Sequence, residues 1–453
     1  MNAKKFLKMG VCACAAFVAI AAESAVEVGK VIIRQQWPWS TAVMVEYQLE
    51  GRTTPVNISI RAFDGESEFD NAKLMAATSG DVFGVNKSVG MLFIDPVKAF
   101  GSDKVAIENL KIKVAVEEAD PSIVEPLYKV FDLTATDSTK ACLDISKADL
   151  LNGKYGSFET DYSKICAGCK PTLDDVVVWT AVTNDPAYKT TKIVMRRVKA
   201  AGKTFTMGSP TTETGRGANE SQHSVSFGSD YWIGVFPMTV AQYGKVKSGA
   251  HTVEAVAAGC TTDYVPAQEV YQADPRGTAD FDPASATRHN VTETSPLGVL
   301  RKKFNADFQL PTEAQWEFAA RAGVAAALYN GGELVNDYGG GGIEKLAWYD
   351  GNSKIDGTFY TFDVGRKLPN AFGLYDMLGG TPEWCLDWQG DYPTSAVTDY
   401  EGPQKGTATE HVFRGGMGRY SAKASRCAAR NCMGWGWLYR CGFRLMLPGS
   451  LKF

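Results

Sequence analysis

Apolar and polar side chains alternate with a period of two through residues 26–118, and this alternation restricts the first part of the chain to β-strands. Every second residue is apolar in 43–49, in 56–62 and in 110–116, so each run places apolar side chains on one face. Turn residues such as Glu50-Gly51 separate the runs. The pattern predicts an all-β sandwich of immunoglobulin-like type over residues 26–118. No catalytic grouping is visible there, which favours a structural or interaction module.

Residues 119–190 are predicted to form a β-rich connecting segment that contains a Cys-x-x-Cys motif. Cys166 and Cys169 carry this spacing. A thioredoxin-like redox pair would require a βαβ pattern around these cysteines, and the sequence shows none. The four cysteine ligands of a zinc ribbon are not present either. We therefore predict a structural disulfide, with Cys142 as a candidate partner, and a metal site is the alternative.

The first 24 residues have the features of a secretory signal peptide. Lys4, Lys5 and Lys8 make a positive amino-terminal region, residues 9–22 are largely apolar, and small residues follow. We therefore expect a secreted or periplasmic protein from which this segment is cleaved. The mature chain would keep eight of the ten cysteines, and an oxidising compartment makes disulfides their default state.

Composition excludes two classes of protein. Lysine and arginine together number 47 against 51 aspartates and glutamates, so a nucleic-acid binder that relies on bulk positive charge is excluded. No apolar run after residue 30 approaches the roughly 18 residues that a membrane-spanning helix needs, so we expect no span in the mature chain.

From residue 191 to 448 glycine, tryptophan and turn residues become frequent and regular periodicity fades. One helix is well marked, because Thr312 can cap it and Gln315 can complete a capping box. Apolar residues follow at helical spacing from Trp316. The pattern predicts a loop-rich α+β domain whose core rests on aromatic side chains and disulfides as much as on sheet.

This last domain carries a series of short motifs in a fixed order. They read FTMGS at 205–209, HSV at 223–225, YWIG at 231–234, MTVAQY at 238–243, LPTEAQWEFA at 310–319, PNAFGLYDM at 369–377, EWCLDW at 383–388, FRGG at 413–416, CAAR at 427–430 and GFRL at 442–445. In this order they resemble the formylglycine-generating enzyme / sulfatase-modifying factor family. The resemblance implies a C-type-lectin-like fold for residues 191–448 and, as the family activity, oxidation of a sulfatase cysteine to formylglycine.

The arginines of these motifs recur beside carboxylates in the sequence blocks. Arg414, Arg430 and Arg444 are accompanied by acids at Glu317, Glu383 and Asp387. Paired arginine–carboxylate forks inside a loop-rich core would replace hydrogen bonds that a sheet ladder would otherwise supply. We therefore predict that these residues maintain the fold.

The family's enzymes use two cysteines, separated by four residues, just ahead of the segment that resembles residues 427–430. The pair binds copper(I), an ion for which thiolates are suitable soft ligands. Here residues 417–426 contain no cysteine. The leading hypothesis is therefore an exported family member that has kept the fold, lacks the catalytic pair and acts as a binding or structural module.

Cys427 and Cys432 are themselves separated by four residues, which leaves an alternative open. A shifted alignment would place them on the catalytic positions, and the chain would then be an active formylglycine-generating oxidase that uses copper and acts on sulfatases. The shift removes the match of residues 427–430 to their own motif. Disulfides with Cys385 or Cys441 are the competing expectation, with Cys385–Cys427 first because both flank core motif residues.

A calcium site is a further implication of the resemblance. Asp356 matches a carboxylate of one family calcium site, and Asn352 offers a nearby oxygen of the kind that calcium prefers. A second family site uses an asparagine where this chain has Gly380, which has no side-chain oxygen. We therefore predict calcium at Asp356 and Asn352, with a solvated loop carboxylate as the alternative.

Recognition in lectin-like folds is carried by surface loops, here residues 417–426 and 431–440. The candidate ligand-binding residues are Arg419 in the first loop and Trp435, Trp437 and Tyr439 in the second. Their partner would be a protein or a carbohydrate, because aromatic faces stack on sugars and on peptides. A third hypothesis is a cell-surface structural protein in which the amino-terminal sandwich is the functional part.

Overall fold

The computed structural model forms two compact units. One unit extends to Pro126 and also takes in Ile145–Ser157, and the other contains Leu127–Asp144 and the chain from Phe158 onward. The residues that the structure describes are 26–35, 41–51, 54–101, 110–137, 140–169, 171, 173, 176–247, 253–270, 273–277, 290–403, 410–433 and 441–449. The predicted signal peptide lies outside these residues.

Two antiparallel sheets make up most of the first unit. Its strands are β1 (Glu27–Gln35), β2 (Val43–Glu50), β3 (Val56–Asp64), β4 (Ser67–Glu68), β5 (Thr78–Gly80), β6 (Val89–Ile94) and β7 (Leu110–Glu118). One sheet has the order β1-β2-β6-β5 and the other the order β4-β3-β7. Each strand of the first sheet pairs antiparallel with its neighbour, and β3 pairs with β7 over its full length.

The core of this unit comes from the alternating residues. Val45 and Tyr47 of β2, Ile58 and Ile60 of β3, and Leu92 of β6 belong to one buried apolar cluster. The apolar faces of the two sheets therefore share a core, as period-two alternation requires when one face of a strand is buried.

Short helices depart from the all-β expectation. The first unit contains α1 (Asn71–Ala76), α2 (Pro96–Phe100) and α3 (Lys147–Leu151). Asp70 and Asp95 start α1 and α2, because each carboxylate accepts backbone N–H bonds of the first turn. The unit is thus mixed α and β, and besides the strands of 26–118 it contains the chain up to Pro126 and Ile145–Ser157.

The second unit combines short strands and helices with long loops. Its strands are β8 (Pro126–Asp132), β9 (Cys142–Ser146), β10 (Lys192–Val198), β11 (Thr204–Met207), β12 (His223–Ser226), β13 (Tyr231–Gly234), β14 (Ala347–Trp348), β15 (Lys354–Ile355), β16 (Thr358–Phe359), β17 (Leu378–Gly379), β18 (Glu383–Trp388), β19 (Val397–Thr398), β20 (His411–Arg414), β21 (Asn431–Met433), β22 (Gly442–Phe443) and β23 (Met446–Pro448). Its helices are α4 (Tyr162–Ile165), α5 (Ala187–Thr190), α6 (Val240–Val246), α7 (Ala273–Arg276), α8 (Pro296–Phe304), α9 (Glu313–Arg321) and α10 (Asp350–Ser353).

Two larger sheets organise this unit. One has the order β23-β13-β10-β8-β9 and the other the order β21-β20-β18-β22. Strands β8 and β9 come from residues 119–190, so the segment predicted as a connector supplies part of a sheet. The mixture of helices, short strands and loops fits the C-type-lectin-like fold that the motifs imply.

The predicted helix at Thr312 is confirmed as α9, together with its capping box. The Thr312 side chain accepts from the backbone N–H of Gln315, and the Gln315 side chain accepts from that of Thr312. Trp316 is fully buried on the inner face of this helix. The capping box therefore fixes where α9 starts and which face it turns to the core.

The Cys-x-x-Cys motif forms one disulfide, between Cys166 and Cys169. Both residues are buried, and Cys142 has a free thiol. The prediction of a disulfide is confirmed, whereas the suggested pairing with Cys142 is wrong. Within the described ranges, no helix has the length and apolar content needed to cross a membrane.

Candidate functional site

A network of buried charges lies at the centre of the second unit, around Arg414. This arginine ends β20 and is fully buried. Its guanidinium donates to Glu313 Oε1 at 3.3 Å, to Glu317 Oε2, and to the carbonyls of Cys427 and Ala428 at 2.8 and 2.9 Å. Because every partner is buried with it, the guanidinium holds α9 and the loop before β21 in one arrangement.

Glu313 also binds Arg430 in a two-pronged fork. Arg430 Nε donates to Glu313 Oε1 at 2.7 Å and Arg430 Nη2 donates to Glu313 Oε2 at 2.9 Å. The hydroxyl of Tyr392 donates to the same carboxylate at 3.0 Å, and the Arg430 guanidinium lies 3.9 Å from the centre of the Tyr392 ring. Glu313 is thus the acid shared by both arginines.

A second fork joins Arg444 to Glu383. Arg444 Nε and Nη2 donate to the two carboxylate oxygens of Glu383 at 3.0 and 2.8 Å. The indole N–H of Trp316 donates to Glu383 Oε2 at 2.7 Å. These geometries confirm the prediction of buried arginine–carboxylate forks. Asp387, another of the acids named in that prediction, accepts the backbone N–H of Glu313 at 2.7 Å.

A third arginine fork was not anticipated from the sequence. Arg426 donates to both carboxylate oxygens of Glu220, at 2.9 and 2.7 Å, and also to Glu213. All three side chains are nearly fully buried. Arg426 precedes Cys427 directly, so this fork fixes the chain at the end of the segment where the family's catalytic cysteines are expected.

That segment, residues 417–426, is attached to the rest of the unit through its backbone. The N–H of Gly418 donates to the carbonyl of Gly380 at 2.9 Å, and the N–H of Asp350 donates to the carbonyl of Tyr420 at 3.0 Å. The Ser353 hydroxyl donates to the carbonyl of Gly418. The segment therefore has a defined course, and it carries no thiol.

Cys427 lies in the core. Its side chain is fully buried, and its backbone N–H donates to the carbonyl of Ala327 at 2.8 Å. Burial raises the pKa of this thiol to about 12, with Arg321 acting weakly in the opposite direction. A neutral, buried thiol is a poor nucleophile and a poor metal ligand, because the thiolate is the reactive form.

Cys432 lies on β21, where its backbone pairs with that of Val412. Its side chain is outside the described residues. Among the residues that the structure describes, no three side chains of Cys, His, Asp or Glu are placed to hold a metal ion. The copper pair of Cys427 and Cys432 thus stays a prediction, since the described residues include only one of the two thiols.

Residues 184–447, more than half of the chain, match the Sulfatase-modifying factor enzyme 1-like domain. The chain belongs to the sulfatase-modifying factor family. The formylglycine-generating enzyme of Streptomyces coelicolor is 37% identical over 115 residues, which are 24% of this chain and 35% of that enzyme. The formylglycine-generating enzyme of Thermomonospora curvata is 34% identical over 160 residues, which are 32% of this chain and 50% of that enzyme.

The matched stretches therefore span no more than half the length of these two relatives. Among solved structures, the Treponema denticola variable protein 1 is similar at 24% identity and a TM-score of 0.43. That match covers 57% of this chain and 95% of the other chain.

Three cysteines of this family member, Cys427 among them, are buried free thiols. Cys385 and Cys427 lie in one apolar cluster and Cys441 lies in another. The expectation of a Cys385–Cys427 disulfide is therefore wrong, as is that of a bridge from either to Cys441. Each side chain packs as a small apolar group, which is a common role of buried cysteine.

Arg419 is the one predicted ligand-binding residue that the structure describes. It is exposed, pairs with Glu254 at 2.7 Å, and lies 5.1 Å from the centre of the Phe359 ring. The other predicted residues, Trp435, Trp437 and Tyr439, lie outside the described part of the chain. Arg419 thus has protein partners of its own, and its role toward a ligand stays a prediction.

The predicted calcium ligands lie in different settings. The amide oxygen of Asn352 accepts the backbone N–H of Tyr349 at 2.9 Å, and its amide nitrogen donates to the carbonyl of Ala347 at 2.9 Å. Asp356 is exposed at positive φ in the turn between β15 and β16. The Asn352 amide is thus used in capping α10, and the calcium assignment remains a prediction.

A recess opens beside the 417–426 segment, and sequence reasoning missed it. We call it the Trp348 recess; it is lined by Pro237, Pro266, Trp348, Phe362, Asp376 and Thr381 among others. Gly380 also lines it, and the carbonyl of Gly380 accepts the N–H of Gly418. Its residues come from five separate parts of the sequence, so no local pattern could have revealed it.

Proposed function

We propose that this chain is an exported binding module of the sulfatase-modifying factor family that does not oxidise cysteine. The observation that carries the proposal is the state of the cysteines around residue 427. No thiol occurs in residues 417–426, and the Cys427 thiol is buried with a pKa raised to about 12. Copper(I) chemistry needs two accessible thiolates. This arrangement argues against an accessible thiolate in residues 417–426 and against one at Cys427.

The buried charges support the same proposal. Arg414, Arg426 and Arg430 each donate to glutamates and to backbone carbonyls within the core. Such groups maintain a loop-rich fold rather than contact a substrate. What remains for function is the surface formed by residues 417–426 and the Trp348 recess beside it, since recognition belongs to loops carried on a rigid scaffold.

A direct activity assay tests the proposal. The purified chain, loaded with copper(I), is incubated with a peptide that carries the target cysteine of a sulfatase, and the product is analysed by mass spectrometry. The formylglycine-generating enzyme of Streptomyces coelicolor serves as the positive control. We expect no formylglycine from this chain, with or without copper(I), because Cys427 cannot supply a thiolate at the surface.

The alternative is an active oxidase that uses Cys427 and Cys432. It predicts formylglycine in the same assay and loss of that product in Cys432→Ser. A copper-dependent product that disappears in Cys432→Ser would overturn the proposal and would make sulfatases the substrates.

A further inference from the structure

His223, the first residue of β12, is a buried histidine. The residue is 6% exposed, and its backbone pairs with that of Met207 on β11. Its Nδ1 lies 3.3 Å from the carbonyl oxygen of Ser221. A carbonyl can only accept, so Nδ1 carries the hydrogen of the neutral imidazole and Nε2 is the bare nitrogen. The described residues place no hydrogen-bond partner at the buried Nε2.

The charged form of His223 is therefore disfavoured at this position. Protonation would add a second N–H at Nε2, and this buried hydrogen would have no acceptor. Burial lowers the pKa of His223 from its ordinary value of 6.5, whereas the Ser221 carbonyl, Glu317 and Glu313 act in the opposite direction. Arg430 acts in the same direction as burial. The site thus holds the imidazole in its neutral form.

Two tyrosines of one segment pack against the imidazole. We call this segment, residues 389–403, the Tyr392 segment. The ring centre of Tyr392 lies 4.5 Å from that of His223, and the ring centre of Tyr400 lies 5.6 Å from it. Strand β19 of the same segment pairs with β12. His223 is thus part of the surface that holds the Tyr392 segment in place.

The Tyr392 segment also contacts Arg430. The carbonyl of Gly390 accepts from Arg430 Nη1 at 2.9 Å. The Tyr392 hydroxyl and the Arg430 guanidinium both donate to Glu313 Oε1, and the guanidinium lies 3.9 Å from the centre of the Tyr392 ring. Arg430 directly precedes β21. A change in the packing of the Tyr392 segment therefore reaches the arginine that positions the start of β21.

Besides the two tyrosines, the charged groups that act on His223 are already paired with one another. Glu313 accepts from Arg414 and Arg430, and Glu317 accepts from Arg414. An imidazolium would place a further positive charge beside a network whose carboxylates are bound to arginines. Departure of the side chain into solvent relieves this cost, and it removes the ring on which the Tyr392 segment packs.

We propose that His223 is an acid-sensitive latch, whose protonation releases the Tyr392 segment from β12 and removes its contacts with Arg430. The neutral imidazole keeps the segment closed, and the imidazolium opens it. This inference goes beyond the proposed binding function and does not depend on it, because it concerns the pH at which this part of the unit keeps its arrangement.

The direction follows from proton linkage. The pKa of His223 lies below 6.5 in the closed arrangement, so the closed form takes up a proton less readily than the open form. The contribution of His223 to closure is complete above pH 6.5 and declines as the pH falls below this value. Each pH unit below 6.5 raises the opening constant by at most about tenfold. Asp376 has the opposite sign, because its proton uptake stabilises the folded protein.

Hydrogen–deuterium exchange of the full chain, followed by mass spectrometry of its peptides, measures the opening. Exposure times at pH 7.5 and pH 5 are scaled to equal intrinsic amide exchange. We expect the opening constant of residues 389–403 to be about threefold to thirtyfold larger at pH 5. That of β3, which contains no histidine, should not change. Exchange at C2 of His223 in the same samples reports its own titration.

Two histidine variants identify the group responsible. His223→Phe keeps a ring against Tyr392 and Tyr400 and does not titrate, so the increase at pH 5 should be lost. His411 provides the matched control, because it is also buried and its Nδ1 lies 3.1 Å from the carbonyl oxygen of Asp387. His411→Phe should keep the increase.

An increase that persists in His223→Phe, an increase that disappears in His411→Phe, or no increase in the unaltered chain would overturn the inference. If His223→Phe does not fold, His223→Asn takes its place, because its amide can donate to the Ser221 carbonyl and does not titrate. Each of these results leaves the formylglycine assay unaffected, since that assay tests cysteine oxidation alone.

Discussion

Replacing Arg414 with methionine is expected to destabilise the second unit by about 3–5 kcal/mol, the usual cost of removing one partner from a buried charge network. The substitution leaves the carboxylate of Glu317 without one donor and the carbonyls of Cys427 and Ala428 without theirs. Nothing in the fully buried site can replace these bonds. Denaturant unfolding followed by tryptophan fluorescence measures the change.

An exposed pair provides the matched control. The Lys423 ammonium and the Asp337 carboxylate lie 2.6 Å apart, and both side chains are exposed. Lys423→Met should lower the free energy of unfolding by no more than about 1 kcal/mol, as for other surface pairs. An Arg414→Met protein that unfolds at the same denaturant concentration as Lys423→Met would contradict the structural role given to the buried network.

Asp376→Asn is expected to stabilise the protein above pH 6 by about 3 kcal/mol and to have little effect below pH 4. Burial raises the pKa of Asp376 from 3.8 to about 6, against weaker stabilisation of the carboxylate by the Gly365 N–H and by Arg444. The charged groups that act on it are Arg444 with its partner Glu383, and Lys189 and Lys367. Asparagine keeps an oxygen for the Gly365 N–H.

The direction follows from proton linkage. The pKa of Asp376 lies higher in the folded protein than in the unfolded chain, so the folded protein holds the proton more tightly. The resulting contribution to the free energy of unfolding is complete below pH 3.8 and is lost as the pH rises through 6. A shift of this size corresponds to about 3 kcal/mol. Unfolding curves from pH 4 to pH 8 measure it.

Asp356→Asn serves as the control, because Asp356 also has a positive φ but lies exposed in a turn. Asparagine tolerates that backbone conformation. Its effect should be small at every pH. A stabilisation by Asp376→Asn that does not change with pH would show that the carboxylate does not titrate as proposed.

Local features of the structure could be predicted where the sequence signal is itself local. The capping box from Thr312 to Gln315 spans four residues, and the alternation in β2 and β3 directly indicates one buried face. The arginine forks were predicted in kind, because charged motif residues in a loop-rich core must be paired.

Features that join distant residues could not be predicted in this way. Arg426 and Glu220 are separated by 206 residues, and nothing local links them. The Trp348 recess likewise depends on how several loops meet. The disulfides predicted for Cys385, Cys427 and Cys441 were wrong for a different reason: the expected oxidising compartment would favour disulfides, but these three cysteines pack as buried apolar groups.

The central claim is that the Cys427 thiol belongs to the core and takes no part in copper chemistry. Timed alkylation of the native protein, followed by complete alkylation after unfolding and peptide mapping, tests it at the level of single cysteines. We predict that Cys427 is modified only after unfolding, because its thiol is buried and its pKa is raised to about 12. Rapid native alkylation of Cys427 together with Cys432, prevented by copper(I), would contradict the claim.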